Sequence, residues 1–194
     1  NAFDPIVTDR LTLRRLEPGD SEKVFGYRSK PEVTRFQSWE PESVAEIHCF
    51  IEGLKEIGPD TPGKWYQLGI VLDETGELIG DCGIRVSSAD PSQAEVGITV
   101  SPPFQRRGLG AEALTAVLDV LFTRLGKHRV YGSVDPRNTA SLALLRRVGM
   151  RQEAHFVESL RFKGEWADDA ICAMLRREWS GCMAFTRESR FHRG

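Results

Sequence analysis

The chain has 194 residues, 40% of them hydrophobic, and 26 lysines and arginines against 28 aspartates and glutamates leave a net charge of −2. At roughly 100 to 200 residues per domain, this is one globular domain with enough surface to bury a core without staples. No uninterrupted apolar run approaches the ~18 residues of a spanning helix, and charges occupy the first fifteen positions where a secretion signal would be apolar, so the expectation is a cytoplasmic protein with no membrane partner.

In chain order, Leu11, Thr12 and Leu13 open an alternating strand that breaks at Glu17-Pro18-Gly19-Asp20, and Asp20 offers an N-cap for a short helix over about 21–29. Val44, Ile47, Phe50, Ile51 and Leu54 recur at helical spacing, giving a second helix that ends near Gly58 and Pro59. Three strands follow at 65–72, 77–86 and 94–100, the first two joined by the hairpin turn Asp73-Glu74-Thr75-Gly76. Leu114, Val117, Leu118, Leu121, Phe122 and Leu125 then form the apolar face of a helix over 111–125. A strand at 129–134, a helix at 138–148 ended by Gly149, and strands near 151–162 and 168–176 complete the order βααβββαβαββ. This order predicts an α/β (α+β mixed) fold, with a mixed sheet of about seven strands and about four helices on both faces, because its two strand-helix-strand passages require right-handed crossovers. One domain over 1–179 is expected, with an irregular tail at 180–194 that lacks any hydrophobic period; Asn1 and Ala2 read as a cloning remnant.

Charge and cysteine placement narrow the chemistry. Residues 1–93 carry a net −7 and residues 94–194 a net +5, which suggests an anionic partner of limited size. No nucleic-acid signature accompanies the basic half, so a phosphorylated small molecule is expected rather than DNA or RNA. Cys49, Cys82, Cys172 and Cys182 lie 33, 90 and 10 positions apart, matching no zinc spacing and no disulfide framework, and His48, His128, His155 and His192 show no ligand spacing. No metal is expected.

The anion site is placed at the turn after the strand 94–100. Gly108 and Gly110 permit close backbone approach, so the N–H groups from Arg107 to Ala111 can converge at a helix N-terminus, and Arg106 and Arg107 add charge. An ordinary strand-helix turn with solvated arginines is the alternative. A P-loop is excluded, since no glycine, four residues, glycine, lysine run exists. Gly108 to Ala113 does fit G-x-G-x-x-A, but it begins well past Val100, across Pro102 and Pro103, and too few elements follow Asp135 for a doubly wound dinucleotide fold.

Gln105-Arg106-Arg107-Gly108-Leu109-Gly110 resembles the (Gln/Arg)-x-x-Gly-x-(Gly/Ala) signature of GNAT acetyltransferases, and Asn138-Thr139-Ala140-Ser141 with Gly149-Met150 resembles their second segment. The element order agrees over Thr8 to Trp179, and the chain is most similar to the Rim-type branch, which includes N-terminal acetylases of ribosomal proteins. The resemblance implies acetyl-coenzyme A as co-substrate, its pyrophosphate on Gln105, Arg106, Arg107, Gly108, Leu109, Gly110 and Ala111. The pantetheine arm would follow Ile98 and Val100, with Asn138 and Ser141 nearby. The implied reaction is acetyl transfer by direct attack of a primary amine, either a protein N-terminus or a small molecule.

Acetyl transfer needs a neutral amine and benefits from a proton for the leaving thiolate. Glu95 is the candidate base, because alternation puts it on one face with Gly97 and Thr99 and some GNAT enzymes place a glutamate near there; a charge facing water at a strand start reads equally well. Ser141 is the candidate acid, sharing a helix face with Asn138 and Leu145. Many members of the family carry tyrosine where this chain has Leu145, which cannot donate a proton, and helix capping is the alternative role for Asn138 and Ser141. Arg28, Gln37, Trp39 and Glu158 are candidate acceptor-binding residues in segments that flank the cleft of the related fold, and each also reads as a packing or surface residue. A homodimer, a larger acyl group such as succinyl, and a non-catalytic acyl-coenzyme A sensor stay open.

Overall fold

The computed structural model describes residues 5–179, so the expected tail at 180–194 and the first two residues lie outside the described part. Eight strands form one sheet in the order β1-β2-β3-β4-β5-β6-β8-β7: β1 (Ile6–Val7), β2 (Leu11–Arg15), β3 (Trp65–Leu72), β4 (Glu77–Val86), β5 (Gln93–Val100), β6 (Arg129–Val134), β7 (Arg151–Phe162) and β8 (Glu165–Leu175). The helices are α1 (Ser21–Arg28), the short α2 (Pro31–Thr34), α3 (Val44–Gly53), α4 (Leu109–Asp119) and α5 (Thr139–Arg147). β1 and α2 exceed the expected pattern. Two residues of strand and four of helix are too short to show periodicity, and both form by pairing or packing with neighbours.

Every neighbour pair in the sheet is antiparallel except β5 with β6, which are joined by the α4 crossover. That parallel pair is short. Gln93, Ala94 and Glu95 face Arg129, Val130 and Tyr131, after which β5 stays with β4 as far as Val100 and β6 stays with β8 as far as Val134. The two central strands therefore part beyond Glu95 and leave a wedge in the middle of the sheet.

Two apolar clusters hold the fold. The larger joins Leu11, Leu13, Ile70 and Ile84 of the sheet to Leu114, Val117, Leu118 and Phe122 of α4 and the turn after it. The smaller packs Val24 and Tyr27 of α1 on Ile47 and Ile51 of α3, with Leu16 and Leu78 beneath. Each fully buried aliphatic side chain contributes roughly 1.5 to 3 kcal/mol, so these clusters fix the helices against the sheet. The helix expected over 111–125 runs as α4 to Asp119 and then widens: Leu125 N–H bonds back to Val120 O at 3.0 Å, a five-residue π step over Val120–Arg124.

Candidate active site

A cleft of about 740 Å³ runs along the end of β5 where it has left β6, between the start of α5 and the glycine turn. Its α4/α5 side is formed by Ile98 and Val100, by Gln105, Arg106, Gly108, Gly110 and Ala111 of the turn, and by Asn138 and Ser141 at the start of α5. Its other side is formed by Val33 and Phe36 in and after α2, Gln37, and Thr99.

The turn has the backbone shape an anion site requires. Arg106 and Gly108 both adopt left-handed φ, 61° and 78°, and α4 starts directly after Gly108. The first helical bond across that start runs from Glu112 N–H to Gly108 O at 3.1 Å, so the N–H groups ahead of it are left for an outside acceptor. A clamp from the connection between β1 and β2 holds the turn in place. Arg10 Nε donates to Glu112 at 2.7 Å, Arg10 Nη1 to Arg107 O at 3.2 Å, and Thr8 Oγ1 to Glu112 at 2.6 Å. Burial opposes the Glu112 charge, but the bonds from Thr8 and Arg10 outweigh it and lower its pKa. Gln105 Nε2 bonds to Val100 O at 2.8 Å and ties the turn to the end of β5.

Not all of the turn faces the cleft. Arg107 lays its guanidinium over Phe104, 5.7 Å from the ring centroid, and Leu109 is a core residue. At the other wall, Asn138 caps α5: its Oδ1 accepts the Ser141 N–H at 3.1 Å, which leaves its NH2 group for the cleft. Among the described residues the Ser141 hydroxyl has no hydrogen-bond partner. Leu145 is buried, and its Cδ1 lies 3.3 Å from where a Cβ on Gly132 would stand, so the leucine packs under the wedge while Leu144 lines it.

Glu95 stands outside the cleft lining. Its carboxylate pairs with Arg85, its neighbour in register on β4, and its register neighbour on β6 is Tyr131. Burial and the Glu95 charge together raise the Tyr131 pKa. It sits on the last β5–β6 pair before the strands part.

The four candidate acceptor residues separate. Gln37 lines the cleft. Arg28 lies behind it, 9% exposed, in a bidentate pair with Asp81. Trp39 packs on Phe50 at 4.7 Å and donates Nε1–H to Glu46 at 2.7 Å, so it braces α3. Glu158 is exposed on the edge strand β7 with φ 47°, its N–H bonded to Asp168 at 2.9 Å.

Sequence reasoning passed over Asp81 and Thr99. Asp81 is 1% exposed and accepts from Tyr27 Oη at 2.5 Å, Arg28 Nε at 3.0 Å, Arg28 Nη2 at 2.5 Å and Gln67 Nε2. Burial and the Asp81 charge push the Tyr27 pKa well up, and burial also opposes the charge on Arg28, where Asp81 prevails and raises its pKa. The signal was present: a lone carboxylate inside the apolar run Leu78-Ile79-Gly80-Asp81-Cys82 must carry a partner. Among the described residues no group of three His, Cys, Asp or Glu side chains could hold a metal ion, and no helix is long and apolar enough to cross a membrane.

Comparison with known proteins agrees with this geometry. Residues 10–151 match the model of the acetyltransferase (GNAT) domain. An N-acetyltransferase of Bacillus licheniformis, p20, is 29% identical over 92% of this chain and all of its own length. The [ribosomal protein uS5]-alanine N-acetyltransferase of Escherichia coli is 26% identical over 90% of this chain and 92% of its own. A GNAT-family acetyltransferase structure from Bacillus anthracis superposes with a TM-score of 0.80 at 24% identity, covering 90% of this chain and 99% of that one, and so shares the fold. With the domain model spanning well over half of the chain, and an open wedge leading to a glycine turn in its centre, the protein belongs to the GNAT family of acetyltransferases.

Proposed function

We propose that the protein transfers an acetyl group from acetyl-coenzyme A to a primary amine, the acceptor being a protein N-terminus or a small-molecule amine. The observation that carries this reading is the single cleft that joins unspent N–H groups at the α4 start to the wedge between β5 and β6. Its residues fit the co-substrate: the turn from Arg106 to Ala111 suits a pyrophosphate, and Ile98, Val100 and the free Asn138 NH2 suit a narrow amide-bearing arm. When bound, acetyl-coenzyme A supplies an acetyl group already activated as a thioester.

The chain's own groups then divide the work. Arg106 and the turn N–H groups hold the anionic end, and the Ser141 hydroxyl, unbonded at the cleft wall, offers the proton a departing thiolate takes up. Glu95 receives the amine proton through water rather than by contact, because the pair with Arg85 holds its carboxylate on the sheet before the wedge opens. The similarity to an enzyme named as a [ribosomal protein uS5]-alanine N-acetyltransferase supports a protein amine as the first acceptor to try.

The test is thiol release from acetyl-coenzyme A against a panel of peptides and small amines. Amine-dependent release, with the acetylated product found by mass, supports the proposal. Tight binding of acetyl-coenzyme A without release for any amine would return the protein to the sensor reading.

A further inference from the structure

The buried charges beside the cleft set the direction of one hydrogen bond at its wall. Arg28 Nη1 donates to Gln37 Oε1 at 2.8 Å, and a guanidinium can only donate, so the Gln37 amide must present its oxygen to Arg28. Its NH2 group therefore faces the other way, and Nε2 donates to Thr99 Oγ1 at 2.9 Å. A threonine hydroxyl has one hydrogen and two lone pairs. With a lone pair taken by Gln37, the hydrogen is unspent, and among the described residues no acceptor takes it. Gln37 and Thr99 both line the cleft, while Asp81 anchors Arg28 from behind through two of its three guanidinium nitrogens.

We propose that Thr99 is a substrate-binding residue, its hydroxyl hydrogen turned into the cleft by the relay Asp81, Arg28 and Gln37, to donate to an oxygen of a bound substrate. The relay residues are positioning residues. Reversing the hydroxyl would require reversing the amide, which would set NH2 against guanidinium, so the direction is fixed by a buried ion pair rather than by solvent. The accepting oxygen belongs either to the acyl donor, in its thioester or arm, or to the amine acceptor. The inference rests on the acetyl-transfer reading and adds to it a wall that recognises oxygen.

The relay can be inverted without being dismantled. Gln37→Glu keeps a bond to Arg28 but replaces NH2 by an acceptor, so the Thr99 hydrogen turns away from the cleft. Thr99→Val removes the hydroxyl and keeps the shape. Steady-state transfer should fall about three- to tenfold in kcat/KM for each, the scale of one neutral hydrogen bond, and calorimetric binding of acetyl-coenzyme A shows whether donor affinity carries that loss. The double variant should fall no further than either single one, since the same bond is lost only once. Thr99→Ser should recover what Thr99→Val loses. A loss in coenzyme A affinity assigns the oxygen to the donor, a rise in the acceptor KM assigns it to the acceptor, and a loss in kcat alone assigns it to the reacting carbonyl. If the parent transfers acetyl and both variants match it within twofold, or if their losses multiply in the double variant, the relay is wrong while the function stands. A parent that binds acetyl-coenzyme A and transfers to no amine overturns the functional reading and the relay with it.

Discussion

Asp81→Ala should be among the most damaging single changes outside the apolar core. The carboxylate is 1% exposed and satisfies donors from Tyr27, Arg28 and Gln67, and the Arg28 side chain is itself only 10% exposed. Removing the anion leaves a guanidinium buried with Gln37 as its remaining hydrogen-bond partner. Breaking a buried pair from one side costs about 3 to 5 kcal/mol, a large share of the roughly 5 to 15 kcal/mol that holds a domain together. Urea unfolding followed by tryptophan fluorescence should show the midpoint falling with an unchanged slope. Adding Arg28→Met should cost less than the two single losses summed, because it removes the uncompensated charge. A loss below about 1 kcal/mol for Asp81→Ala would mean that water or Gln67 replaces the carboxylate, and the account of a buried pair fixing the cleft wall would fail.

Ser141→Ala separates a proton donor from a structural hydroxyl. The cap bond uses the Ser141 backbone N–H, so melting should move little while transfer slows; a parental rate would mean the thiolate leaves without help from this residue. Glu95→Gln should lower turnover by ~10-fold or more near neutral pH and leave coenzyme A affinity within twofold, and a loss below threefold across the pH range would remove Glu95 from the proton path. Asp20, whose side chain is largely buried, pairs with Arg14 at 2.7 Å; burial raises its pKa, but the Arg14 and Glu17 bonds prevail and lower it. Its stabilisation is therefore full above the unfolded carboxyl pKa near ~4 and lost as pH falls through the lower folded value. Asp20→Asn should destabilise at pH 7 and match the parent in acid below that folded value; an equal loss at both would refute the linkage.

Long, strongly patterned segments were legible in the sequence, because burial on one face writes itself as spacing. β3 and β4 have the expected bounds, and the apolar spacing of 114–125 places α4 on the sheet. The glycine turn was legible for a different reason: Gly108 stands where φ is 78°, a conformation that side chains other than glycine resist. What the sequence did not show depends on contacts between distant positions. Arg28 and Asp81 lie 53 residues apart and Gln37 and Thr99 lie 62 apart, so no local pattern links them. The N-terminal clamp on the turn joins Thr8 and Arg10 to Glu112 across more than a hundred residues. Periodicity put Glu95 on one strand face with Gly97 and Thr99, yet it could not tell that Arg85 and Tyr131 flank it before the wedge opens.

Whether the glycine turn at the end of β5 holds acetyl-coenzyme A is decided by calorimetry of the parent beside Gly108→Val. A Cβ at Gly108 would come within 4 Å of Arg10 Nη2, at 3.6 Å, which is ordinary contact, and the left-handed backbone costs roughly 1 to 2 kcal/mol. The same strain pulls the N–H groups out of alignment with an anion. One molecule should bind per chain in the parent, with affinity reduced at least about tenfold in a variant that still unfolds cooperatively. A folded variant that binds as tightly as the parent, or a parent that binds no coenzyme A, would contradict it.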